Sequence, residues 1–578
     1  MREYAVGNGI IRLVTREYAV GKLAANRVFP DILGYSRVLK FSRFSERRQA
    51  KMPAHVAKRT ASYRLGPPGT AWDRINFFLR GRGPRSCLRG LLSRQISSLS
   101  ITPVKSLFLR LLTLALLAAQ AANAQSNQQV TISFGAYPYT APIAPRFLGL
   151  SYESSMLLPK DGKYYFDAND QALINNFHTL GIKSLRVGAN AVDDPTVAVP
   201  QEKDIDQLFN FARAAGVKVI YSFRLKNGAP AESARLAAYI ASHYADLLDA
   251  FAIGNEPNFY LKPYDTFFAA WKPHYDAILK AVPNAMFDGP SADGPYALHF
   301  QHDLNADGHL AMVSDHYYFL GSGRAAEKDP PASRARFLSN KIHDAYEKAW
   351  NNTGKVLAER GIVPYRIDEL NSCYNGGAKD SSDTYADALW VLDCTHWWAA
   401  HHILGMNYHT GESVGRDGTF GAANYAAFVH QPDGNGFTMR PQAYGLLAFT
   451  QGAQGQPLEV KIQTAPDFDF NAYAYTEHDG SLCVTLINKS YGDHAQSAQM
   501  QFNLPSYIDA APGWQELDLT QKDGEVAAKT DIILGGAAVD PQGTWSGQWK
   551  TIKELGVEDR TVLVAPASAV IVRFARAK

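Results

Sequence analysis

Between about residues 145 and 450 the sequence alternates eight times between a short apolar run of β character and a longer stretch with helical periodicity. That rhythm leaves few architectures open, because strand, helical crossover and strand in succession build a parallel sheet covered by helices. Strands are expected at 147–152, 184–187, 217–223, 250–253, 285–288, 311–314, 365–367 and 405–408. Between the first two, Asp170 is placed to cap a helix whose Leu173, Ile174, Phe177 and Leu180 share a face, and Gly181 stops it. Eight such units over roughly 300 residues fit an α/β fold of the (β/α)8 barrel type with long loops. An open doubly wound sheet is the alternative, but no GxGxxG follows a strand and the unit count is high for it. After residue 450 the helical period fades into short alternating strands such as 481–487 and 569–574. The expected organisation is a catalytic barrel over 145–450 and a β-sandwich over 451–578, which also recruits a strand from 125–144.

Charge divides the chain differently. Residues 1–100 carry 20 Lys+Arg against 5 Asp+Glu, whereas 125–578 carry 36 against 50, so the folded part is acidic. Between them, Lys105 and Arg110 flank the start of a short apolar stretch that ends in Ala122-Asn123-Ala124. This is the pattern of a secretory signal over 104–124, too short for the ~20 apolar residues of a membrane span. The basic segment 1–103 carries a direct repeat, Arg2 to Gly7 and Arg16 to Gly21, without a periodicity that would bury a face. Translation is therefore expected to start near Val104, the rival reading being a basic arm for nucleic acid or an organelle. The expected location is secreted or periplasmic, with no nucleic-acid partner and no membrane attachment after signal cleavage. Cys373, Cys394 and Cys483 follow the signal, enough for at most one disulfide, and no CxxC pair suggests a zinc ribbon or thioredoxin chemistry.

Two glutamates carry the clue to chemistry. Glu256 lies in Asn255-Glu256-Pro257 at the end of the fourth expected strand, and Glu369 lies at the end of the seventh. Strand ends are where a barrel places its catalytic groups. Two carboxyls about 5–5.5 Å apart can share glycoside hydrolysis, one attacking the anomeric carbon and the other protonating the leaving oxygen. Asn255 offers an amide to the sugar's 2-hydroxyl.

The Asn-Glu-Pro motif after strand four, with a second glutamate after strand seven, resembles the retaining glycosidases of clan A. Within that clan the chain is most similar to glycoside hydrolase family 79, the β-glucuronidases and heparanases. The resemblance covers roughly 128–578 and rests on Tyr374, Gly376 and Gly377 after the second glutamate. It implies that Glu256 is the general acid/base, that Glu369 is the nucleophile, and that Tyr374 and the glycine pair receive a C6 carboxylate. Glycines let backbone N–H groups approach an anion, and a tyrosine hydroxyl adds a donor. Here Asn375 is inserted between Tyr374 and the glycines, relative to the heparanase pattern.

Further candidates end the other strands: Glu153 after strand one, Asn190 after strand two, and His316 and Tyr318 after strand six, to bond the nucleophile or flank the sugar. Tyr408 and Tyr425 are further candidates for the pocket wall. His396, His401, His402 and His409 match neither HExxH nor a Cys/His finger, so no metal is expected, and glycoside hydrolysis calls for no cofactor. The expected protein is a monomeric, secreted, retaining β-glucuronidase acting on a glucuronic-acid-containing glycan or glycoside. An acidic chain disfavours long sulfated polyanions as substrates. The alternatives are another clan A β-glycosidase, such as a xylosidase or glucosidase, and an inactive carbohydrate-binding barrel.

Overall fold

A computed structural model describes residues 127–138, 141–304, 306–360, 364–414, 420–508, 514–552 and 562–577. The basic segment 1–103 and the signal segment 104–124 lie outside the described residues. Strand β1 (Gln128–Phe134) precedes eight strands that close into a parallel barrel: β2 (Leu148–Glu153), β3 (Ser184–Gly188), β4 (Lys218–Phe223), β5 (Leu248–Ile253), β6 (Phe287–Ala292), β7 (Leu310–Tyr318), β8 (Tyr365–Asn371) and β9 (Gly405–His409). The expected barrel is thus observed. Its β6 starts two residues later than expected, because Ala285 and Met286 precede the ladder and Gly289, Pro290 and Ser291 continue it.

Period-2 alternation decides which side chains fill the barrel. In β3, Leu185 and Val187 join the apolar layer under the helices, while Arg186 points inward. Deep in the barrel, Ile220, Ala250, Ala252 and Met312 form a small apolar plug, so the interior is packed and the chemistry is confined to one end. In β8 the alternation breaks: Ile367 pairs with Met406 and Leu370 with Tyr408, three residues against two, and the register on β7 shifts at the same place. This one-residue bulge turns the side chains of both Asp368 and Glu369 into the barrel.

Beside the barrel lie two sheets. A seven-stranded one centres on Phe470–Thr476, Leu482–Asn488 and Ser568–Phe574, and a four-stranded one holds β1 between Val460–Gln463 and Ala498–Asn503. Strand Leu482–Asn488 shows why the first sheet is buried on both faces. Leu482, Val484 and Leu486 pack into the core between the sheets, whereas Cys483 and Ile487 pack towards the barrel helices. The described cysteines, Cys373, Cys394 and Cys483, are buried free thiols.

A buried ion pair ties the two parts together. Asp393, on helix Tyr385–Ala400 between β8 and β9, accepts from Lys489 Nζ at 2.8 Å, His343 Nε2 at 2.9 Å, Asn471 Nδ2 at 2.8 Å and Tyr473 Oη at 2.7 Å. Burial alone would raise the Asp393 pKa; Lys489 and His343 outweigh it and hold it far below the carboxylate range. Its contribution to stability is therefore present above the unfolded pKa of about 4 and lost only as pH falls below that towards the folded value. Lys489→Met leaves the aspartate without its cation in a dry site and is expected to cost about 3–5 kcal/mol. Denaturant unfolding checks this as a lower midpoint with an unchanged slope; an unchanged midpoint refutes it.

Candidate active site

The chain leaves β5 through Gly254, at φ 84°, where an added Cβ would lie 2.9 Å from Leu225. Glu256 follows in the left-handed region at φ 45°, an uncommon state for a non-glycine residue, held by its N–H to Ser291 O at 2.8 Å. This turn aims Glu256 across the barrel mouth towards Glu369. An oxygen of each carboxylate and a ring nitrogen of His316 lie within 4.8 Å of one another.

The two carboxyls sit in different surroundings. Glu369 is buried, accepting from Arg186 Nη1 at 2.6 Å and from the Tyr318 hydroxyl at 2.7 Å, with His409 Nδ1 at 4.0 Å. Burial alone would raise its pKa; the charges of His409, His316 and Arg186 and the Tyr318 hydrogen bond reverse that and hold it well below the usual carboxylate range. Glu256 is more open and meets His316 Nδ1 at 3.2 Å. The other nitrogen of His316 lies 3.3 Å from Asp368 Oδ1. Burial opposes a charge on this ring, but Asp368 and Glu369 lift its pKa to about 10, which favours the imidazolium at neutral pH.

Arg186, fully buried, organises the floor. Besides Glu369 it reaches Asp368 Oδ2 at 3.1 Å, Asn255 Oδ1 at 2.8 Å and Ser151 Oγ at 3.1 Å. A buried guanidinium is tolerated because carboxylates surround it. Asn255 is thereby fixed beside Glu256 through its Oδ1, with its Nδ2 buried and without a hydrogen-bond partner among the described residues. Although Glu256, His316 and Glu369 could also face a cation, both nitrogens of His316 are engaged and the Glu369 carboxylate is held by a guanidinium at 2.6 Å, which opposes a second positive charge there.

The cleft above this floor measures about 850 Å³. Glu153, Asn190, Glu256, His316, Tyr318, Glu369, Tyr374, Gly376 and Tyr425 line it, as the sequence led one to expect, joined by His409, which had been set aside with the unassigned histidines. Glu153 is anchored by Ala191 N–H at 2.7 Å and stands 3.7 Å from His409 Nε2. Tyr374, 47 % exposed, forms the rim, and Gly376, at φ 80° with open space where a Cβ would be, leaves its backbone accessible beside it. Three expectations fail. Asn255 does not line this cleft: its Oδ1 is taken by Arg186 at 2.8 Å and its Nδ2 is buried, so its amide is turned into the floor of the barrel instead of towards the sugar. Tyr408 is fully buried on the outer face of β9, its hydroxyl 2.7 Å from Thr395 Oγ1 of the covering helix, since only alternate residues of the strand face the cleft. Gly377 lies beneath the loop, packed against Tyr425 and Ser382, and supports the turn rather than lining the cleft. Arg186 and Asp368 were missed from the sequence.

No family model matches the chain. It is 22 % identical to a heparanase-like protein of Arabidopsis thaliana over 301 residues, 46 % of this chain and 52 % of that one. It is 24 % identical to a β-glucuronidase of Aspergillus niger over 223 residues, 35 % of this chain and 38 % of that one. The chain thus spans about half or less of the length of these curated relatives. In fold it is similar to a 4-O-α-L-rhamnosyl-β-D-glucuronidase from Fusarium oxysporum, with a TM-score of 0.56 at 17 % identity, covering 76 % of this chain and 99 % of that one. In sequence the chain is similar to heparanases and β-glucuronidases, the proteins of glycoside hydrolase family 79 that the residues around Glu369 already resemble.

Proposed function

We propose that this protein is a secreted or periplasmic retaining β-glucuronidase. The observation that carries the reading is the asymmetry of the carboxylate pair: Glu369 is buried, ionised and fixed by Arg186 and Tyr318, while Glu256 faces it from the open side of the same cleft. A Glu369 oxygen attacks C1 of the sugar as the C1–O glycosidic bond breaks, and Glu256 gives its proton to the departing oxygen. Glu256 then takes a proton from water, whose oxygen displaces Glu369 from C1 and restores the β configuration. The close approach of the two carboxylates supports a double displacement, because inverting enzymes hold their carboxyls about 6.5–9.5 Å apart to admit a water. Buried charges fixed before the reaction stabilise developing charge without reorganisation. Glu153, in the cleft lining, is placed to bond sugar hydroxyls.

For glucuronate as the sugar, the support is the rim of Tyr374 and Gly376 together with the names of the sequence relatives. The test is a panel of 4-nitrophenyl glycosides. The β-glucuronide should be hydrolysed at least tenfold better in kcat/KM than the β-glucoside and β-xyloside, with the β-anomer as first product by NMR. Preference for the glucoside or xyloside overturns the substrate, a first-formed α-anomer overturns the mechanism, and inactivity across a broad panel favours a carbohydrate-binding barrel.

A further inference from the structure

Next to the cleft lies a second pocket of about 630 Å³ that shares Asn190, Glu256 and Phe259 with it but does not reach Glu369. In a double displacement the acid serves the leaving group and the nucleophile serves C1. A pocket that touches the acid alone is therefore on the leaving-group side. We propose, building on the function above, that this pocket binds the first sugar of the leaving group, with Phe259 as its stacking platform and an acidic wall that selects neutral over sulfated sugars.

Phe259 is 69 % exposed, in the short turn that follows Glu256, where nothing in the fold requires an aromatic ring. An exposed aromatic face shared by two connected pockets suits the apolar face of a pyranose. Another part of the lining is built around Asp193, which is almost fully buried. One of its oxygens accepts from Leu225 N–H and Lys226 N–H, both at 2.8 Å, and the other from Asn255 N–H at 2.8 Å and the Tyr260 hydroxyl at 2.7 Å. One aspartate thus fixes the loop after β4, the residue beside the acid and the ring of Tyr260. Lys226 Nζ stands 5.4 Å from the centroid of that ring and is the single cation of the pocket lining, against Asp193 and Asp194, Glu256 carrying the proton that it gives to the leaving group. Asp194 and Thr196 complete a polar edge matched to sugar hydroxyls rather than to an anion.

The subsite acts only on the step that releases the leaving group, so it is read by comparing leaving groups. The substrates are a disaccharide with terminal β-glucuronate on a neutral hexose, the same disaccharide 6-O-sulfated on the hexose, and β-glucuronosyl fluoride, whose leaving group does not extend into the pocket. Phe259→Ala is expected to lower the ratio of kcat/KM for the neutral disaccharide over the fluoride about tenfold, and Phe259→Trp to restore it. Wild type should prefer the neutral over the sulfated disaccharide at low salt, the preference shrinking as salt rises. An unchanged ratio in Phe259→Ala overturns the platform, and equal or better use of the sulfated disaccharide overturns the charge selection. Failure of wild type to hydrolyse even the fluoride overturns the glucuronidase reading, and the subsite with it.

Discussion

Glu369→Ala is expected to lower kcat on an activated β-glucuronide by about 10⁴-fold or more, the scale on which a covalent nucleophile acts in a preorganised site. Removing the side chain also leaves a cavity lined by the groups that had held its charge: Arg186, the Tyr318 hydroxyl, His316 and His409. That cavity is a ready site for a small anion. Azide is therefore expected to restore turnover and to yield the α-glycosyl azide, because one displacement replaces two and the configuration inverts. A structural defect would not be repaired by azide and would not change the stereochemistry. Arg186 keeps Asp368 at 3.1 Å and Asn255 at 2.8 Å in the variant, so folding should survive. Kinetics with and without azide, with NMR of the product, decide it. Recovery of a β-glycosyl azide, or residual activity within tenfold of wild type, would remove Glu369 from the role of attacker.

The strands and the two glutamates were legible because each depends on local pattern: apolar runs at regular spacing, and a carboxylate where the run meets turn residues. His316 and Tyr318 were legible for the same reason, although they divide the work differently from a simple expectation, Tyr318 bonding Glu369 and His316 bonding Glu256. Arg186 was hidden inside an ordinary-looking run, Ser184-Leu185-Arg186-Val187. Yet a charge flanked by residues that face the helices has to point into the barrel, so a search for buried partners would have found it. Asp368 was beyond such reasoning. Alternation puts neighbours on opposite faces, and only the bulge in β8 brings Asp368 and Glu369 to the same one. Tyr408 failed for the complementary reason. Parity in β9 assigns Asn407 and His409 to the interior, and His409, one residue on from the tyrosine, occupies the cleft.

Arg186→Met is expected to separate the electrostatics of the site from its shape. Methionine approximates the length of arginine without its charge or donors, so Asp368 and Glu369 lose the guanidinium between them while the packing volume is largely kept. Breaking a buried ion pair by removing one partner costs about 3–5 kcal/mol at neutral pH. Activity should fall about 10²–10³-fold, as when one preorganised charged donor is removed from a reacting centre. The pH dependence carries the discriminating signal. In the wild type the folded pKa of Glu369 is depressed, so its favourable contribution is complete above the unfolded value of about 4.3 and is lost only as pH falls through the folded value. Without Arg186 that pKa rises, and the acid limb of kcat/KM moves to higher pH. The variant's native state then takes up protons at a pH where the wild type's does not, so the stability gap between the two narrows as pH falls from 7 towards 4. A merely structural role for Arg186 would lower stability by the same amount across that range and leave the acid limb in place. Arg186→Lys, which keeps one charge but not the forked reach to Glu369, Asp368 and Asn255, should recover stability further than it recovers kcat/KM.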